Sequence, residues 1–186
     1  MARIPLPGRD ELDANQRAVY DKVVQGPRGA IVGPLRAAIH NAELADRWQA
    51  LGELLRYRTS LSARLSELAI LLTARHWDSQ FEWFAHEPPA RKAGLPEAVI
   101  AAVREGRRPE RMEADEDAVH DYVEELLRLH VVAEDKHSRV RELLGVAGVV
   151  ELTALIGYYS MVALTLNAHE LPLPEGVTPP LPRRAS

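Results

Sequence analysis

Cysteine is absent from all 186 residues. That excludes disulfides, thiolate catalysis and cysteine-ligated metals, leaving oxygen and nitrogen groups to carry any chemistry. An excess of basic charge is also missing. The formal net charge is -4, so the chain has no basic footprint for nucleic acid, and no nucleic-acid partner is expected. The opening residues, Met1-Ala2-Arg3-Ile4-Pro5, carry no apolar leader, which makes the cytoplasm the expected compartment. Alternating strand patterns, internal repeats and nucleotide-binding loops are lacking too.

What remains is helical periodicity. Apolar residues recur at helix spacing in almost every segment, so the expected fold is all-α. A first helix is expected over about 9–24, ending at Gly26-Pro27-Arg28-Gly29. Gly33-Pro34 makes a second turn and opens a short helix through His40. Asn41 and Ser62 are natural N-caps for the next two helices. Another helix starts at Asp78 or Ser79 and stops before Gly94. Pro88-Pro89 should kink it or end it early, because each proline removes a backbone donor. Further helices are expected over about 97–105, 115–131 and 135–144. The prolines at 172, 174, 179, 180 and 182 make the tail an extended arm.

Val146 to Ala168 is apolar almost throughout and long enough to span a bilayer. It also contains Glu151, Thr153, Ser160, Thr165 and Asn167, and lacks closely flanking basic clusters. That pattern fits a helix buried centrally or against another subunit, with no membrane partner.

The chemistry concentrates in one stretch. Glu67 shares its helix side with Ala63, Ile70, Leu71 and Ala74. A carboxylate in so apolar a setting is either paired or held at a raised pKa suited to acid–base work. Arg64 and Arg75 are the local ion-pair alternatives. Glu82 and His86 lie four apart and face the same way on one helix. Ser79 precedes Glu82 by one turn, and Ser-x-x-Glu is also a capping box that could occupy both side chains. Trp83 and Phe84 either wall a dry pocket or pack as core, core being the reading for Phe84. Metal binding by Glu82, His86 and Glu67 is a competing reading. The two Glu-x-x-His pairs of the di-iron bundles are not present, and no metal or other cofactor is expected.

The spacing Glu67…Ser79-x-x-Glu82-x-x-x-His86, with Ala93-Gly94-Leu95 beyond it, resembles the carboxymuconolactone decarboxylase-like superfamily, which includes the alkylhydroperoxidase D-like proteins. The redox branch carries Cys-x-x-Cys-x-x-x-His with a Glu twelve residues before the first Cys. Ser79 and Glu82 stand where those cysteines would be. His40 after Gly33-Pro34-Leu35, and Ile156-Gly157-Tyr158-Tyr159 followed by Asn167, resemble parts of the decarboxylase-like branch. The resemblance implies one domain over 1–186 with an alkylhydroperoxidase D-like helical bundle. It divides into an N-terminal helical extension (1–60), a core motif (61–106), C-terminal helices (107–170) and a proline-rich tail (171–186). It implies a homo-oligomer, trimer or hexamer, with the site near a subunit interface. Thiol peroxidase activity is out of reach. The expected function is a cofactor-free lyase acting on a small carboxylated lactone or related acid. Glu67, Glu82 and His86 are the catalytic candidates. Ser79, Trp83, His40 and Tyr158 are the candidates for holding the small-molecule substrate. The alternatives are a non-catalytic oligomeric helical protein and a Glu/His metalloenzyme.

Overall fold

A computed structural model describes residues 2–182. Residue 1 and the last four positions of the expected tail, 183–186, lie outside the described residues. Among the described residues all regular structure is helical. The expected first helix is split: a 3-10 turn at Arg9–Glu11 precedes α1, Ala14–Gln25. Asp13 causes the split. Its carboxylate accepts the Gln16 N–H at 2.9 Å, and the Gln16 side chain accepts the Asp13 N–H at 3.0 Å, which closes a capping box.

The short α2, Leu35–Ala38, leads into α3, Ala42–Tyr57. Asn41 caps α3 by accepting the Leu44 N–H, and Ser62 caps α4, Ala63–His76, by accepting the Leu65 N–H. The α4 helix is the hub of the bundle. Every residue from Leu65 to Ala74 is buried. The helix packs on α5 (Gln80–Lys92), α6 (Glu97–Arg104), α7 (Ala114–Leu129) and α8 (Glu134–Ala168).

Pro88 and Pro89 do not end α5, which runs through both to Lys92. They remove only the bonds that would reach the carbonyls of residues 84 and 85. The ladder resumes at once, with the Ala93 N–H donating to Pro89 O at 2.8 Å. Ala90, fully buried, keeps this turn seated in the bundle. The helix stops at Gly94, whose positive φ supplies the left-handed residue that a helix C-terminus favours.

The α8 helix is two arms joined at Gly145, where φ 72 and ψ 174 interrupt the helical backbone. That matches the two helices read from the sequence. The expectation of a centrally buried second arm is met on one face only. Leu152, Leu155, Ile156, Tyr159, Val162 and Leu166 pack inward. Val146, Val150 and Leu164 are exposed on the other side. By length and composition this helix could cross a membrane, yet half of its most apolar stretch is buried in protein.

The chain ends brace the bundle. The Arg3 N–H donates to His169 O at 2.9 Å. The Gln80 side chain brackets Leu181, donating to its carbonyl at 3.1 Å and accepting its N–H at 2.8 Å. Leu171 and Leu181 are buried, so the described part of the tail is an extended strap packed on the start of α5.

Candidate functional site: a histidine held between two glutamates

Three sequence candidates meet at the junction of α4 and α5. Glu67 sits in the second turn of α4, and Glu82 and His86 lie one turn apart on α5. The intervening corner turns tightly through Asp78, whose φ of 50 is left-handed. Trp77 fixes that corner to α8. Its indole N–H donates to Ser160 Oγ at 3.0 Å, and its carbonyl accepts from Asn167 Nδ2 at 2.7 Å.

His86 Nδ1 lies 2.7 Å from Glu67 Oε2, and Nε2 lies 3.0 Å from Glu82 Oε1. All three side chains are buried. Carboxylates only accept, so an imidazole with one on each nitrogen satisfies both by donating twice, as the imidazolium. Burial alone would push the His86 pKa down. The hydrogen bonds to Glu67 and Glu82, with their charges, outweigh it and raise the pKa to about 9. The Tyr159 ring stands edge-on to the imidazole, centroids 5.0 Å apart. Burial, and then the charge of Glu82, hold the Tyr159 hydroxyl well above its usual 10.

The local alternatives for Glu67 are otherwise engaged. Arg64 pairs with Asp115 and Glu116 on α7, and Arg75 pairs with Asp78. The capping box at Ser79 does not form. Ser79 precedes α5 but its side chain makes no cap bond, and its buried hydroxyl has no hydrogen-bond partner. Glu82 turns to the imidazolium instead, because a charge-assisted bond is stronger than a bond to a backbone amide. The two carboxylates occupy opposite edges of the ring, so the three groups do not converge on one point.

A small cavity of about 70 Å³ opens beside the trio. Its walls include Glu82, His86, Tyr158, Tyr159, Arg28 and Arg56. Glu67 is not on the wall; it stands behind the ring. Tyr158 is therefore at the cavity, 3.4 Å from Arg28 Nη2 and edge-on to Trp48. Two other substrate-binding candidates lie elsewhere. Trp83 follows Glu82 by one residue, so it points about 100° away around the helix. It is fully buried, donates to Glu87 Oε2 at 2.8 Å and lies under Arg104. His40 is exposed and bonds Pro5 O at 2.9 Å, pinning the N-terminal arm.

Sequence reasoning missed Arg28 and Arg56. Arg28 comes from the Gly26–Gly33 loop and Arg56 from the last turn of α3. The only sequence trace of their meeting is Gly52, buried inside a helix where glycine is costly. A Cβ there would collide with the Tyr158 hydroxyl and the Arg28 guanidinium.

A larger cleft of about 330 Å³ lies between α4, α6 and α7. Most of its charged side chains are paired. Arg108 pairs with Asp117 and Asp121, Lys136 with Glu125, and Arg107 with Glu105. It has no counterpart to the buried trio, so the smaller cavity is the candidate site.

No family model matches the chain, and no curated protein matches it. Solved structures do. One is an uncharacterized peroxidase-related protein from Silicibacter sp. TM1040, at 15% identity and TM-score 0.75, covering 91% of this chain and 90% of that one. Another is an uncharacterized peroxidase-related protein from Ralstonia eutropha JMP134, described as an alkylhydroperoxidase AhpD core. It is 16% identical with TM-score 0.76, covering 94% of this chain and 93% of that one. At such identities the likeness establishes the fold, and the chain has the alkylhydroperoxidase D-like all-helical fold that its Glu67-to-His86 spacing resembles.

Proposed function

We propose that this protein is a cofactor-free lyase that decarboxylates, or isomerises, a small carboxylated lactone or related acid by general acid–base catalysis. The observation that carries this reading is the buried Glu67–His86–Glu82 relay, with two of its members on a cavity wall. The absence of cysteine removes the thiol chemistry of the redox branch and leaves proton transfer as the resource of the site.

The reaction uses that resource as follows. The bond from carbon to the departing carboxylate breaks, and its electron pair moves into a conjugated lactone carbonyl. Carbon dioxide leaves, and one proton goes to the carbon. Both His86 nitrogens are occupied, so the stored proton reaches the cavity through Glu82, which lines it and lies against Nε2. Glu67 holds Nδ1 and fixes the ring's orientation. One proton taken up from solvent per turnover restores the imidazolium. We place the enzyme in the cytoplasm.

Carbon dioxide release over a panel of lactones and aromatic-catabolism acids tests the reading. On the accepted substrate, His86→Ala lowers kcat by roughly 10²–10⁴-fold if the ring holds the transferred proton. A fall below about threefold at saturation removes His86 from that role. No turnover across the panel favours a non-catalytic helical protein.

A further inference from the structure

We propose that Arg28 and Arg56 form a carboxylate clamp: a built anion site at the cavity mouth that takes the single carboxylate group of a small organic acid. The inference rests on reading this cavity as the site of an organic acid, and it adds the residues that select the ligand's charge.

The geometry begins at Gly52. Its missing side chain lets the Arg28 guanidinium and the Tyr158 hydroxyl come down onto the surface of α3. Arg56 lies four residues further along the same helix and therefore on the same face. Both arginines reach the cavity wall. Arg28 is held there by its loop. Gly29 and Gly33 take left-handed φ values of 70 and 54, and Gly33 packs under the Phe81 ring, where a Cβ would come within 2.9 Å.

Neither arginine has an ion-pair partner among the described residues. The acids on their side of the bundle, Glu67 and Glu82, both pair with His86 instead. Arg28 Nε is buried and has no acceptor, and the side chain's one polar contact is the long approach to Tyr158. A guanidinium nitrogen buried without an acceptor is costly, and a planar carboxylate is the partner that the fork of N–H groups fits best.

Charge balance sets the ligand class. Arg28, Arg56 and protonated His86 face two glutamates, leaving one positive charge over. A monocarboxylate closes that balance. A phosphate dianion would exceed it, and a neutral amide of the same shape would leave it open.

The test is a ligand-observed NMR titration of the full-length protein at pH 7. Three probes are compared: crotonate, its neutral isostere crotonamide, and inorganic phosphate. Crotonate is expected to bind saturably, with crotonamide and phosphate at least about tenfold weaker. Arg28→Gln and Arg56→Gln each weaken crotonate by about tenfold or more, and Arg28→Lys falls between because it keeps charge but loses the fork. Gly52→Ala gives an independent arm that changes no charge. The added Cβ displaces both the Arg28 guanidinium and the Tyr158 hydroxyl, so thermal unfolding first establishes that the variant folds, and crotonate binding then falls as in Arg28→Gln. Equal affinity for acid and amide, a preference for phosphate, or Arg28→Gln and Arg56→Gln variants within about twofold of the parent overturns the clamp.

Turnover separates this inference from the lyase reading. Clamp-dependent crotonate binding without decarboxylation of any panel acid keeps the clamp and sinks the lyase. Decarboxylation with KM unchanged in Arg28→Gln and Arg56→Gln keeps the lyase and sinks the clamp.

Discussion

The charge state of His86 should be readable in the stability of the whole protein. In the unfolded chain the imidazole titrates near 6.5, and in the fold it holds its proton up to about 9. A raised pKa means that the native state binds the proton more tightly than the unfolded state does. Its stabilising contribution is therefore complete below pH 6.5 and disappears as pH rises through about 9. The difference corresponds to roughly 3 kcal/mol, at about 1.4 kcal/mol per pH unit. Against a typical domain stability of about 5–15 kcal/mol that is a large fraction. Urea unfolding at pH 6, 7, 8 and 9 measures it. With a urea m-value of about 2 kcal/mol per molar, the midpoint should fall by about 1.5 M across the series. The His86→Gln variant should lose most of this pH dependence while the remaining histidines still titrate. An NMR titration of the His86 ring supplies the midpoint directly. A midpoint at or below 6.5, or a stability that is flat or rising between pH 6.5 and 9, refutes the double carboxylate clamp as the source of the retained proton.

Ser79→Ala should change stability by less than about 0.5 kcal/mol in thermal or urea unfolding, because the buried hydroxyl has no bond to lose. A loss above about 1.5 kcal/mol would mean that the hydroxyl has a partner after all. Light scattering at micromolar concentration should show a closed homo-oligomer, a trimer or a dimer of trimers. Val146 and Val150 are 70% and 63% exposed, and Leu164 on the same helix is open as well. On α3, Leu51 and Leu54 are exposed too. So many exposed large apolar side chains are unusual on a soluble monomer and fit an interface burying more than about 2,000 Å² per pair. A monodisperse 20.7 kDa species would sink that proposal.

Features set by a few neighbouring residues were legible in the sequence. Asn41 and Ser62 cap their helices because a side-chain oxygen needs only the next turn as a partner. Gly145 breaks a helix by its own backbone freedom. The approach of Glu67 to His86 is non-local, and the family-like spacing made it readable. The capping box at Ser79 failed for a tertiary reason: an imidazolium fixed by Glu67 draws Glu82 away from the helix start. Pro88 and Pro89 failed as breakers because burial on α4 and α8 outweighs two lost bonds. Hydropathy could not say that Val146 to Ala168 has one open face, since composition carries no direction. Arg28 and Arg56 had no signal of their own, because their role exists only where loop, helix and Gly52 meet.

Position 82 decides what kind of site this fold holds. In the Cys-x-x-Cys-x-x-x-His arrangement that the chain resembles, a thiol stands there, and an ordinary thiol is mostly neutral at pH 7. Here a carboxylate stands at the same point. With Glu67 on Nδ1 and Glu82 on Nε2, the His86 ring lies between two negative charges, and burial strengthens both attractions. The ring then keeps its proton far above neutrality instead of surrendering it to activate a nucleophile. Ser79, at the other thiol position, adds neither charge nor a hydrogen bond. Where the arrangement it resembles has a thiol pair, this chain has Ser79 and Glu82, with a proton held on His86. The same substitution adds a negative charge to a cavity that also receives Arg28 and Arg56, and the three cations still exceed the two acids by one. Under the proposed lyase reading, the arginines meet the anionic end of the substrate and His86 holds the proton that carbon must receive.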